Sequence, residues 1–152
     1  MANFVFNVAK GRVGEYYQRV EGNDPATARL VLIPLEAAGL ETQAALEDSV
    51  SLAEVLDGTT NEQITMGRKY LTDVELAALA PDYTNNRLDL DFPDVTWTAA
   101  TGNALGGLVV AYDPNSSADS AIIPLTYHDF SVTPDGTDII AQPGATGFFR
   151  AS

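Results

Sequence analysis

The chain contains no cysteine, which excludes a disulfide framework, a thiolate nucleophile and any sulfur ligand for zinc or an iron–sulfur cluster. Histidine is nearly absent as well: His128, in TYHDF, is the only one. A Ser–His–Asp triad would have to be built around it, and Asp129 is its sequence neighbour, which on a strand sends the two side chains to opposite faces. As a metal ligand it would have only carboxylate companions. It therefore reads as a polar residue near a strand end, and neither a catalytic residue nor a metal site is expected. Positive charge is scarce too. Eight Lys+Arg stand against 21 Asp+Glu, a net charge of −13, the reverse of the basic footprint that grips phosphate backbones. No nucleic-acid partner is expected. No apolar run approaches the roughly 18 residues of a membrane span, so no membrane partner is expected either. The start, MANFVFNVAKGRVGEYY, lacks the long apolar stretch of a signal peptide, and the chain is expected to fold where it is made.

What is present describes a globular domain. At 152 residues with 45% hydrophobic content, the chain can bury a substantial core, roughly 70% of its unfolded surface. The charge is unevenly spread. Residues 1–30 carry Lys10, Arg12, Arg19 and Arg29 against Glu15, Glu21 and Asp24, a net of +1, which leaves −14 for the rest. Besides a solvated acidic surface, that asymmetry fits an N-terminal segment that meets a partner while the body faces water.

Residues 1–24 read as an extended arm: FVFNV alternates, and Gly11, Gly14 and Gly22 interrupt any long helix. Residues 25–152 read as one β domain. EGNDP is a turn cluster, and RLVLIPL has the length of a buried strand, with Pro34 marking a sheet edge or bulge. Short helices are expected near 46–57, with Gly58 as its cap, and near 72–79, where Thr72 and Glu75 resemble a capping box and Pro81 stops extension. From residue 87 on, short strand-like runs, of which RLDLD and VTWTA alternate (RLDLD, VTWTA, GLVVAYD, SAIIPLTYHDF, FSVTPDGTDII, GFFRA), are separated by turns such as DPNSS, TPDG and QPGATG. That spacing predicts a mainly β fold, an antiparallel, jelly-roll-like β-sandwich, with Val95, Trp97, Val109, Ile123, Phe130 and Ile139 in one core.

The glycine-bearing bend TGNALGG is the one stretch that invites a phosphate-binding reading. Gly102 and Gly107 have the P-loop gap, but Leu108 and Val109 stand where Lys and Ser/Thr belong, and a strand follows instead of a helix. A hairpin connection is expected. Asp89, Asp91 and Asp94 cluster in DLDFPD, and Asp89 and Asp91 share a strand face, yet the spacing lacks the EF-hand glycine and terminal Glu. Asp135 and Asp138 read as turn formers around Gly136. Trp97, the single tryptophan, is expected in the core, with a carbohydrate-stacking platform as the alternative. Phe148 and Phe149 adjoin in GFFRA, so one should point outward beside Arg150 as an interface residue.

Over nearly its whole length the chain resembles small structural proteins of tailed bacteriophages. The matching stretches are NVAKGRVGEYYQRV, NDPATARLVLIPLEA, RKYLTDVELAAL, DLDFPDVTWTAATGN with GGLVVAYDP, and GFFRAS. The VTWTAATG bend and the terminal GFFR are the more specific, and none of these is a catalytic motif. The resemblance implies a head decoration (cement) protein, made in the host cytoplasm and bound to the major capsid protein on the outer capsid surface. No cofactor goes with it. A homotrimer is the expected association, since heads present local three-fold positions. Lys10, Arg12 and Arg19 are the expected gripping cations, and Phe148, Phe149 and Arg150 the expected contact at the other terminus. A tail or receptor-binding component is the competing class, and a glycan-active enzyme or carbohydrate-binding module the third.

Overall fold

Two apolar runs without polar interruption, RLVLIPL and GLVVAY, set the architecture. A strand buried on one face alternates, whereas one covered on both faces is apolar throughout. In the computed structural model, which describes residues 1–115 and 118–152, these runs become β2 (Arg29–Glu36) and β6 (Leu105–Asp113). They pair antiparallel from Arg29 opposite Asp113 to Leu35 opposite Gly107. The other side of β6 pairs with β7 (Ile123–Val132), β7 with β1 (Phe4–Val5), and β2 with β3 (Lys69–Leu71). The result is a five-stranded antiparallel sheet in the order β1-β7-β6-β2-β3.

Two further antiparallel ribbons lie against one face. β4 (Leu88–Leu90) pairs with β9 (Phe149–Ala151), and β5 (Val95–Trp97) with β8 (Ile139–Ala141). The fold is thus mainly β and sandwich-like, with layers of unequal size. Alternation along β2 and β6 feeds two cores. Leu30, Leu32, Leu108 and Val110 point to the ribbon side, where they meet Leu90, Val95, Trp97, Ile139 and Phe148. Val31, Ile33, Leu35 and Val109 point to the opposite face. Val109 therefore leaves the single core expected for it, because neighbouring strand residues face opposite ways. Val95, Trp97 and Ile139 do share a core, with Ile123 and Phe130 packed at its margin.

The N-terminal 24 residues are not an extended arm. Val13–Glu21 form helix α1, whose Val13, Tyr16, Tyr17 and Val20 recur at i, i+3, i+4 and i+7 and are all buried on the ribbon side. Gly11 (φ 78°) turns the chain into this helix and Gly22 follows its last residue, so two of the three glycines bound the helix and do not interrupt it. FVFNV does add a strand to a sheet edge, but to the chain's own: Phe4 lies opposite Tyr127 and Val5 opposite Thr126.

The region 43–58 holds two single-turn helices, α2 (Gln43–Leu46) and α3 (Leu52–Val55), which cover the second core with Leu46, Leu52 and Val55. Ser51 Oγ accepts the Glu54 N–H at 3.3 Å and the Glu54 carboxylate accepts the Val50 N–H at 2.8 Å, a reciprocal cap that starts α3. α3 ends at Val55, so Gly58 is not its cap.

The helix expected at 72–79 is absent. Thr72 and Glu75 make their capping contacts, at 2.6 and 2.8 Å, but the chain stays in a turn. Only Leu76 is buried there, so little packing offsets the cost of nucleating so short a helix.

Pro34 stands opposite Leu108, beyond the reach of β3, and the register shifts one residue later, as its missing N–H led us to expect. The TGNALGG bend is not a hairpin: β5 and β6 are unpaired and belong to different layers. The expected DPNSS turn lies partly outside the described residues, which omit Ser116 and Ser117. Among the described residues no helix is long and apolar enough to cross a membrane.

Candidate functional site

Of Lys10, Arg12 and Arg19, the two arginines are brought together by α1. Arg12 and Arg19 are spaced i, i+7 on its solvent face, with side chains 51% and 46% exposed, and Lys10 sits exposed just before the helix. Glu15 lies between the two arginines. Its carboxylate accepts Arg12 Nε–H at 3.1 Å and Arg19 Nη2–H at 3.4 Å, and this pairing, the Arg12 bond above all, holds Glu15 below the usual carboxylate range. Arg12 also lies 4.8 Å over the Tyr16 ring, and Lys10 donates to the side-chain oxygen of Asn7. Two arginines around one carboxylate, with Lys10 just before the helix, leave a locally cationic face on a strongly acidic chain.

The C-terminal trio is placed differently from expectation. Neither phenylalanine is exposed. Phe148 is 7% exposed and packs on Phe92 and Tyr17 at ring separations of 5.4 and 6.3 Å; Phe149 is half-buried against the same core. β9 is held flat on β4, so both rings find apolar cover on the ribbon side. Arg150 is held by Asp89 in a two-pronged bond, 2.5 Å from Nε and 2.8 Å from Nη2, which keeps the Asp89 carboxyl below its ordinary range. Arg87 adds a second guanidinium, 3.4 Å from the same carboxylate. Tyr17 against Phe148 joins the two termini.

The residues weighed for chemistry do not converge. Asp91 caps the N–H of Phe92, and Asp94 accepts from Gln142. Together with the arginine-bound Asp89, they make three carboxylates with three separate tasks. Among the described residues no group of three or more metal-ligating side chains is assembled. His128 Nε2 lies 2.9 Å from Thr126 Oγ1 on its own strand, while Asp129 is bonded to Ser131 on the other face. Burial pushes His128 down to about 4, so the ring is neutral near pH 7. Trp97 is 2% exposed and donates Nε1–H to Gly67 O at 2.9 Å, which removes it as a stacking platform for sugars. The TGNALGG bend is filled from below: Gln63, 1% exposed, donates to Asn103 O at 2.9 Å, and its amide occupies the space a Cβ at Gly102 would need. Asp135 accepts the Thr137 N–H as a turn former, and Asp138 clamps the bend through the Ala99 N–H.

Two features carry no signal in local spacing. Arg68 bridges Glu62 and Asp119, 2.6 and 2.7 Å from their carboxylates, and ties the segment before β3 to the one before β7. Three surface clefts of about 290, 340 and 320 Å³ follow one another beside the outer edge of β7. The first two share Asn3, His128 and Phe148, and the last two share Phe130. They mark an open side where the central sheet and the ribbons diverge.

No protein-family model matches the chain, and no curated protein or solved structure matches it significantly.

Proposed function

We propose that this chain is a structural protein of a tailed-phage virion, a decoration (cement) protein that binds the major capsid protein on the outer surface of the head. The sequence resemblance over nearly the whole chain supports the role. The observation that carries the mode of attachment is the exposed cationic face of Lys10, Arg12 and Arg19 on a chain of net charge −13. A shell able to hold so acidic a partner must meet it with something other than repulsion, and this face is where repulsion is least. The gripping element is thus the solvent side of a packed helix, not a loose arm. Interfacial charge of this kind mainly sets the encounter rate and its salt sensitivity. A homotrimer at local three-fold positions remains the proposed association, tested by light scattering of the free protein and by its density on particles.

The direct test is binding to undecorated capsids. A Lys10→Ala, Arg12→Ala, Arg19→Ala variant should associate more slowly than wild type, with a weaker dependence on salt. Deleting residues 2–20 is not an equivalent experiment, because it strips Phe4, Phe6, Val13, Tyr16, Tyr17 and Val20 from the two cores. Unchanged association kinetics of the triple variant would remove α1 from the interface.

A further inference from the structure

We propose that the open side of the sandwich, between Phe130–Val132 of β7 and Ile139–Ile140 at the start of β8, binds an extended basic segment of a partner polypeptide by strand addition. This site is separate from the cationic face of α1 and does not rest on the head-protein reading.

The first support is an uncovered strand edge. β1 pairs with β7 only at Thr126 and Tyr127, and Asn3 Oδ1 takes the next outward amide, that of Asp129, at 2.8 Å. Beyond that point β7 runs on to Val132 with β6 on one side and, among the described residues, no strand on the other. Natural edges are usually blunted by lysine, proline or a covering element. Phe130, Ser131 and Val132 supply none of these.

The second support is the shape and lining beside that edge. Phe130 and Val132 are half-buried while Ser131 and Thr133 are exposed, so the strand presents an alternating surface to the cleft. Across the cleft Ile139 is buried and Ile140 is 51% exposed. An added strand would form main-chain hydrogen bonds with β7 and set every second side chain onto this apolar floor, the two sources of affinity and selectivity in such complexes.

Charge then decides the occupant. Asp135 and Asp138 line the cleft at this end and no lysine or arginine does, whereas Asp129, beside it, already lies 3.9 Å from the N-terminal ammonium of Met1. His128 is neutral and adds no positive charge near pH 7. An acidic segment would be repelled over distances within the Debye length of about 8 Å, whereas lysines or arginines alternating with apolar residues would meet the Asp135 and Asp138 carboxylates.

The test uses the full-length protein, labelled with nitrogen-15, and three nonapeptide probes. One alternates lysine with valine, one alternates glutamate with valine, and one is the lysine peptide with a central proline. The lysine–valine peptide should cause saturable amide shifts confined to residues 129–133 and 139–141 and slow hydrogen exchange there. The glutamate and proline peptides should not. A Asp135→Asn, Asp138→Asn variant, whose side chains can still accept the turn hydrogen bonds, should bind the lysine peptide at least several-fold more weakly. Absence of saturable shifts with the lysine peptide overturns the proposal, as does equal binding of the glutamate peptide. Shifts restricted to His128, Phe92 and Phe148, reproduced by free indole, would make the opening a small-molecule cleft and also overturn it.

Discussion

Replacing Gly107 with alanine would put a methyl group inside a tyrosine ring. A Cβ built at this position lies 2.3 Å from both Cε2 and the hydroxyl oxygen of Tyr127 and 2.5 Å from its Cζ. The ring has nowhere to go. Tyr127 is fully buried, stacks on Phe4 at 5.0 Å with the planes 11° apart, and donates its hydroxyl to Gly106 O at 2.9 Å. Gly107 has no positive φ, so the backbone itself would accept alanine, and the stiffer unfolded chain would favour the variant by about 0.4–1 kcal/mol. Against that gain stand about 1–3 kcal/mol for overpacking and about 1–3 kcal/mol for a buried hydroxyl displaced from its acceptor. The expected net loss is about 1–5 kcal/mol, centred near 3, or a fall in Tm of roughly 10 °C for a chain of this length. Urea unfolding followed by Trp97 fluorescence measures it. Gly144, where a Cβ meets nothing within 4 Å, supplies the control, and Gly144→Ala should lie within about 0.5 kcal/mol of wild type. The loss should also shrink in a Tyr127→Ala background, because the two sites share one space. A Gly107→Ala protein as stable as wild type would show that Tyr127 does not cross β6 in this way.

Trp97→Ala should cost about 3–5 kcal/mol in denaturant unfolding, from lost burial and an emptied space; a cost below about 1 kcal/mol would return the indole to the surface. Arg68→Ala should destabilise by about 2–3 kcal/mol, since it strands the half-buried Glu62 carboxylate, and Arg68→Lys should recover less than half, because an ammonium cannot engage two carboxylates in paired bonds. His128 gives a pH signature. Its folded value, about 4, lies below its ordinary 6.5, so the unfolded chain takes up the proton first as pH falls. The stability this contributes is complete above pH 6.5 and is lost between there and pH 4, amounting to at most about 3 kcal/mol. Acidification also relieves the repulsion of a −13 chain, so the informative quantity is the difference from His128→Gln, which should lack this component. Parallel stability–pH curves for the two proteins would refute it.

The β character was legible because turn residues punctuate the second half of the chain and the uninterrupted apolar runs RLVLIPL and GLVVAY mark strands covered on both faces. The same runs concealed which residues share a core: neighbours such as Leu108 and Val109 part to opposite sides of one sheet, and apolarity alone does not say which. In α1 the decisive signal was present. Val13, Tyr16, Tyr17 and Val20 follow helical spacing, but Gly11, Gly14 and Gly22 outweighed it, although Gly14 sits inside the helix with only Leu88 nearby, at 3.8 Å. At 72–79 the error ran the other way, since a capping pair forms without a helix to cap. For the candidate sites, the uneven charge of the first 30 residues singles out Lys10, Arg12 and Arg19 but not the helix that carries the two arginines, whereas the shielding of Phe148 and Phe149 and the opening beside β7 arise from contacts between residues far apart in the chain. The bond between Asp89 and Arg150 spans 61 positions, and no local pattern encodes it.

The most direct test of a place on the phage head is stoichiometry and location in purified particles. Mass spectrometry with isotope-labelled standards, calibrated against the major capsid protein, gives the copy number, and immunogold labelling gives the position. A decoration protein should be present at a fixed ratio to the shell protein, on the order of hundreds of copies, with label over the outer head surface. A few to a few dozen copies with label on the tail, or absence from washed particles, would contradict it.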